Sequence, residues 1–274
     1  MSKSASNHSE GKTKKYSQSE ILSKATITDI VSLSSTVKAL TLKIDDPRVT
    51  FKAGQWVDFF IPGMKIFTGF SMTSAPRLLA EERLMQLAVK RTGYAPTLWV
   101  HDQARPGSEV SVQVAGDFSY DPQPGDDTTD LLLVAGGVGI NPLCSMMRHI
   151  ADLNQLKKQG QEVYQPGQVQ MLYTAKNCNE LIFKDDLEKL CSENDNMDCR
   201  LFATQEDKSL ASDNVVYGRI DKDALSKALQ KYSPERLPKL LCYICGPSKM
   251  IDAVEALLLE LNIVEHQIKY EKWW

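Results

Sequence analysis

The chain has 274 residues, 42% hydrophobic and 24% charged, with 32 Lys and Arg against 35 Asp and Glu for a formal charge of −3. At roughly 100–200 residues per domain this length predicts two domains, and the composition excludes disorder for the bulk of the chain. Near-neutrality removes the electrostatic case for nucleic acid or an anionic membrane surface, and no apolar run reaches the roughly 18 residues that span a bilayer.

In chain order, residues 1–23 are rich in Ser and Lys and almost free of apolar side chains, which predicts a disordered tail. That stretch has neither the apolar core of a signal peptide nor the Arg-bearing amphipathic pattern of a transit peptide. Across 24–121 the pattern has period two: Leu40, Leu42 and Ile44, then Met85, Leu87 and Val89, then Val110, Val112 and Val114 alternate with polar residues. With Gly and Pro between the runs, this predicts an antiparallel barrel of about six strands, capped by a short helix over Pro96–Asp102.

Residues 122–129 form a polar, turn-rich linker. From 130 to 274 the rhythm changes, and strands at Leu131–Val134, Val169–Tyr173, Arg200–Thr204 and Leu240–Cys245 alternate with helical patterns at Pro142–Lys157, Leu181–Cys191, Lys222–Lys231 and Lys249–Leu261. Alternation of this kind predicts βαβ units and a parallel sheet covered on both faces. The fold class is therefore a β domain followed by an α/β domain.

The six cysteines lie mostly in apolar runs, as reduced core thiols of an intracellular protein do. Cys242 and Cys245 have the spacing of a redox pair, but they fall inside a strand, where positions i and i+3 face opposite ways. His8, His101, His149 and His266 have no metal or triad spacing, so no metal site is expected.

Two turns carry chemistry. Leu131-Leu132-Leu133-Val134 runs into Ala135-Gly136-Gly137-Val138-Gly139-Ile140-Asn141-Pro142. Glycines after a buried strand let the backbone approach a diphosphate, and the next helix presents its N–H groups and positive dipole end to the anion. Pro142 stands where the dinucleotide fingerprint has its last glycine, so an ordinary Rossmann dehydrogenase is not the match. The second turn, Cys245-Gly246-Pro247, also joins a strand to a helix, and in a parallel sheet both turns converge on one cleft.

On these turns, on Gly54-Gln55-Trp56 and Gly69-Phe70-Ser71, and on the terminal Glu271-Lys272-Trp273-Trp274, the chain resembles the ferredoxin–NADP reductase superfamily over about residues 26–274. The resemblance implies a flavin-binding barrel, here 24–121, and a nicotinamide-binding domain, here 130–274. In the family's flavin motif Phe70 would stack on the isoalloxazine, Ser71 would approach its N5, and Met72, Thr73 and Ser74 would continue the strand. The motif's Arg position holds Thr68, a loss of about 1.5–3 kcal/mol of charge-assisted phosphate binding. Thr97 follows Gly93 one place later than the family's second phosphate loop requires. FAD is the expected flavin, with FMN the alternative.

The resemblance sets Gly136, Gly137, Val138, Gly139, Ile140, Asn141 and Pro142 at the nicotinamide diphosphate and Cys245, Gly246 and Pro247 beside the nicotinamide ring. Thr204-Gln205-Glu206-Asp207 offers no Arg for a 2′-phosphate, and Thr204 and Glu206 suit a ribose diol, which favours NADH. Trp273 or Trp274 would cover the flavin, or else pack at the chain end. The implied reaction passes hydride from NADH to flavin and electrons to an acceptor, which could be a protein, with Ser71 and Cys245 giving polar help. A non-catalytic NAD(H) or flavin binder is the alternative. The resemblance suggests a mitochondrial location, the alternative being cytoplasmic.

Overall fold

The computed structural model describes residues 18–205 and 215–273. The first half is a six-stranded antiparallel sheet of β1 (Gln18–Ser32), β2 (Val37–Ile44), β3 (Trp56–Phe60), β4 (Phe67–Ser71), β5 (Leu84–Lys90) and β6 (Glu109–Ala115), in the order β4-β3-β6-β1-β2-β5. The outer strands are drawn together where Met72 pairs with Leu87 and the Thr73 N–H donates to the Gln86 carbonyl at 2.8 Å, which curls the sheet into a barrel. The period-two residues point inward, with Leu40, Leu42, Met85 and Leu87 fully buried.

Two short helices cap this domain, α1 (Pro76–Glu82) and α2 (Ala95–Asp102). α1 was not legible in the sequence, because Pro76 reads as turn punctuation yet sits in the helix's first turn, where a missing N–H costs nothing.

Residues 18–23, expected in a disordered tail, belong to β1; the rest of that expectation, residues 1–17, lies outside the described residues. β6 supplies what the composition hides. Leu22 pairs with Gln113 and Ser23 with Val112, and the Gln18 amide donates to Asp58 at 2.7 Å.

The second half is a parallel sheet of β7 (Leu131–Gly136), β8 (Val169–Ala175), β9 (Met197–Ala203), β10 (Val215–Tyr217), β11 (Leu241–Pro247) and β12 (Ile268–Trp273), in the order β10-β9-β8-β7-β11-β12. Its helices are α3 (Ile140–Lys158), α4 (Lys184–Glu193), α5 (Lys222–Leu229) and α6 (Ser248–Glu260). β10 and β12, absent from the sequence reading, are edge strands, which need no continuous apolar run. From β7 the chain runs outward through β8, β9 and β10, then returns to place β11 on the other side of β7. That reversal is the topological switch point, where a crevice opens beyond the strand ends.

Cys242 and Cys245 lie on opposite faces of β11, in separate core clusters, and burial pushes the Cys242 thiol up to about 12. On opposite faces the two thiols do not meet, and no group of three or more metal-ligating side chains occurs among the described residues.

Candidate functional site

The two glycine turns meet at the switch point. Ala135 pairs with Cys245 at the ends of β7 and β11, and a Cβ built on Gly139 would collide with the Cys245 carbonyl. A Cβ on Gly246 would lie 3.1 Å from the Gly136 backbone, and one on Gly136 would lie 2.5 Å from the Met250 Sδ. Gly136, Gly139 and Gly246 are thus required by the packing of one turn on the other. Gly137 differs, with a φ of +54° and open space where its Cβ would be. Gly137 and the half-buried Val138 are the open part of the turn.

The first turn of α3 has no side-chain cap and no acidic residue, so nothing opposes an anion at the positive end of its dipole. The Ile140 N–H, however, is bonded to the Gly137 and Val138 carbonyls, and Pro142 has none. This is a cradle that a side chain would fill, and it fits a nicotinamide dinucleotide.

Ile140, Asn141 and Pro142, expected at the diphosphate, turn inward and are buried. Asn141 turns its amide nitrogen to the barrel, donating to the Ala88 carbonyl of β5 at 2.7 Å, while its Oδ1 is buried without a partner. One turn later the Ser145 hydroxyl donates to the Ser74 carbonyl at 2.7 Å, and Arg148 donates to the Thr73 carbonyl at 2.8 Å while pairing with Asp186 at 2.7 Å. Positions i, i+4 and i+7 share one helix face, so a single ridge of α3 grips both the strand following Ser71 and its neighbour β5. Sequence reasoning missed Ser145 and Arg148, since a Ser and an Arg in an amphipathic helix carry no mark of what they will meet.

Ser71 is 2% exposed and its Oγ has no hydrogen-bond partner. Glu271 of β12 pairs in register with Cys245 of β11, and Glu271 Oε2 is likewise buried without a partner. Burial pushes the Glu271 carboxyl up to about 8, so it is largely neutral at pH 7. Glu271 is the functional candidate that the sequence reading passed over. Its signal is a carboxylate within the terminal edge strand, and nothing local shows that it lands beside Cys245. Orphaned buried polar atoms mark where a polar ring could complete the hydrogen bonding.

The remaining expected contacts are divided. Phe70 lies on the inner barrel face, opposite Val57 in the ladder and edge-on to Phe59 at 5.4 Å, and only 9% of it is exposed. Met72, Thr73 and Ser74 are buried. The Thr97 hydroxyl accepts from the Thr92 N–H at 3.1 Å and donates to the Tyr94 carbonyl at 2.9 Å, which ties it into its own turn. Of the residues expected at a flavin, Ser71 keeps an unpaired polar atom, whereas Phe70 and Thr97 are engaged within the barrel domain.

Thr204 is half-buried and its N–H donates to Ala175; Glu206 and Trp274 lie outside the described residues, as does the side chain of Trp273. Among the described residues no helix is long and apolar enough to cross a membrane.

Residues 133–256 match the family model described as oxidoreductase NAD-binding domain. Over its whole length the chain is 42% identical to the zebrafish (Danio rerio) oxidoreductase NAD-binding domain-containing protein 1, covering 99% of that protein. The chain belongs to this family. The fold is ferredoxin reductase-like, and it is similar to the Amycolatopsis cytochrome P450 reductase GcoB (TM-score 0.74, 20% identity, covering 92% of this chain and 69% of that one). It is also similar to a ferredoxin NADP+ reductase from Neisseria gonorrhoeae solved with FAD and NADP (TM-score 0.72, 17% identity, 92% of this chain and 99% of that one).

Proposed function

We propose that this chain oxidises NADH and passes the electrons through a flavin to a further acceptor. The observation that carries the reading is the shared helix. α3 opens on the glycine turn and, through Asn141, Ser145 and Arg148, holds the barrel segment that follows Ser71. Two rings must meet within van der Waals contact for hydride transfer, and a rigid link between their sites serves that requirement. The bound FAD and NADP of the Neisseria neighbour support the same pairing.

When bound, flavin supplies the two-electron acceptor. The chain's own residues orient and shield it. The Ser71 hydroxyl is free to donate or accept at the ring, the Cys245 backbone sets the depth of the nicotinamide through its packing on Gly139, and the Glu271 carboxyl can hold a proton at neutral pH. NADH is preferred over NADPH on this reading, because Thr204 and Gln205, which follow β9, carry no cation and the sequence continues with the carboxylates Glu206 and Asp207. Thr68 and the buried Phe70 favour a second reading, a non-catalytic NAD(H) binder.

Anaerobic stopped-flow mixing of the purified chain and added flavin with NADH or NADPH tests both. Bleaching of flavin absorbance faster with NADH than NADPH is the expected result. NADH binding without any flavin reduction would leave the non-catalytic reading standing.

A further inference from the structure

We propose that flavin serves this chain as an exchangeable co-substrate, not as a resident group, so that reduced flavin leaves carrying the electrons. The proposal rests on the NADH-to-flavin reading above. Three independent anchors of a resident flavin are spent or missing in the barrel.

The first is the phosphate cation. Thr68 occupies that place on β4, opposite Phe59 in the ladder. Arg91, the cation preceding the Gly93 turn, has its two terminal guanidinium nitrogens engaged by Asp102 at 2.6 and 2.9 Å. The second is the phosphate loop at the start of α2. Pro96 removes an N–H from the first helical turn, and the Thr97 hydroxyl is already bonded to Thr92 and Tyr94. Tyr94 reaches across to donate its hydroxyl to the Phe67 carbonyl at 3.3 Å, which ties the loop to the start of β4. The third is the stacking ring. Phe70 is 9% exposed and packed edge-on against Phe59, so it contributes to the barrel core.

The ring-recognising groups survive. Ser71 Oγ and Glu271 Oε2 are buried and unpartnered, so each has a hydrogen bond to offer a polar ligand. Binding energy located at the ring, with none at the phosphates, predicts little discrimination among flavins that differ only beyond the ribityl chain. The reaction balances without another co-reactant. NADH loses a hydride and becomes NAD+, while that hydride and one solvent proton convert oxidised flavin to dihydroflavin, which dissociates.

The experiment uses the purified full chain after exhaustive dialysis, titrated with riboflavin, FMN and FAD by quenching of flavin fluorescence, with NADH titrated separately to verify the nicotinamide site. The expected result is a dialysed protein without flavin absorbance and three affinities within about 5-fold of one another. Reduced flavin should pass an ultrafiltration membrane after anaerobic NADH addition.

FAD retained stoichiometrically through dialysis, or bound more than about 30-fold tighter than riboflavin, overturns the proposal while leaving the NADH-to-flavin reading intact. A chain that binds NADH but neither binds nor reduces any of the three flavins overturns both.

Discussion

The Ser145 hydroxyl donates to the Ser74 carbonyl at 2.7 Å across the domain boundary, and both residues are essentially without solvent access. Each partner would be orphaned by loss of the other, and an unsatisfied buried group costs about 1–3 kcal/mol. Ser145→Ala should lower stability by that amount, read as a shift in denaturant midpoint. NADH affinity should change little, because the turn from Gly136 to Gly139 is untouched. A variant that lost NADH binding with unchanged stability would contradict a bracing role.

Arg148 invites a paired test. Its bond to the Thr73 carbonyl is sheltered, whereas its salt bridge reaches an Asp186 side chain that is 54% exposed. Exposed ion pairs contribute about 0–1 kcal/mol, and a severed sheltered bond costs more. Asp186→Asn should therefore be nearly silent in a thermal melt, and Arg148→Met clearly destabilising. Equal effects would place the weight on the ion pair.

Two glycine substitutions separate packing from ligand approach. Gly139→Ala puts a methyl into the Cys245 carbonyl and should destabilise the domain by more than about 2 kcal/mol. Gly137→Ala meets no atom but must hold a φ of +54°, a strain of about 1 kcal/mol. Its larger effect should be a weaker NADH affinity, because the methyl enters the approach face. Calorimetric titration of NADH with each folded variant reads the difference.

Glu271 predicts a pH dependence whose sign follows from its raised carboxyl. A folded value of about 8 lies above the ordinary 4.5, so the protonated form stabilises the fold fully below about 4.5, and that contribution is lost as pH rises through about 8. Glu271→Gln mimics the neutral acid. It should flatten the decline in stability between those limits and remove any limb near pH 8 from the rate of NADH oxidation, with a change of less than about threefold at pH 7. An unaltered pH profile in the variant would remove Glu271 from the site.

Much of this molecule is written in local pattern. Alternation at Leu40, Leu42 and Ile44 marks a half-buried strand wherever it occurs, and Gly136-Gly137-Val138-Gly139 after an apolar run marks a strand-to-helix turn. Those signals depend on neighbours a few residues away, which is why the β-then-α/β order and the two convergent turns were legible.

The rest depends on pairings that no local window contains. Residues 18–23 look like a tail until β6, some ninety residues on, supplies their hydrogen bonds, as Gln113 does for the Ser19 carbonyl at 2.6 Å. Phe70 has the place of a stacking ring in its motif, and that it lies on the inner barrel face follows only from its register with Val57. Glu271 acquires its raised carboxyl because β12 docks beside Cys245, and Ser145 its partner because α3 packs on the barrel. Composition and periodicity determined the two domains and their two glycine turns, since backbone geometry is a near-neighbour property. Which face each side chain presents, and to what, was decided by long-range strand register and by the packing of one domain on the other.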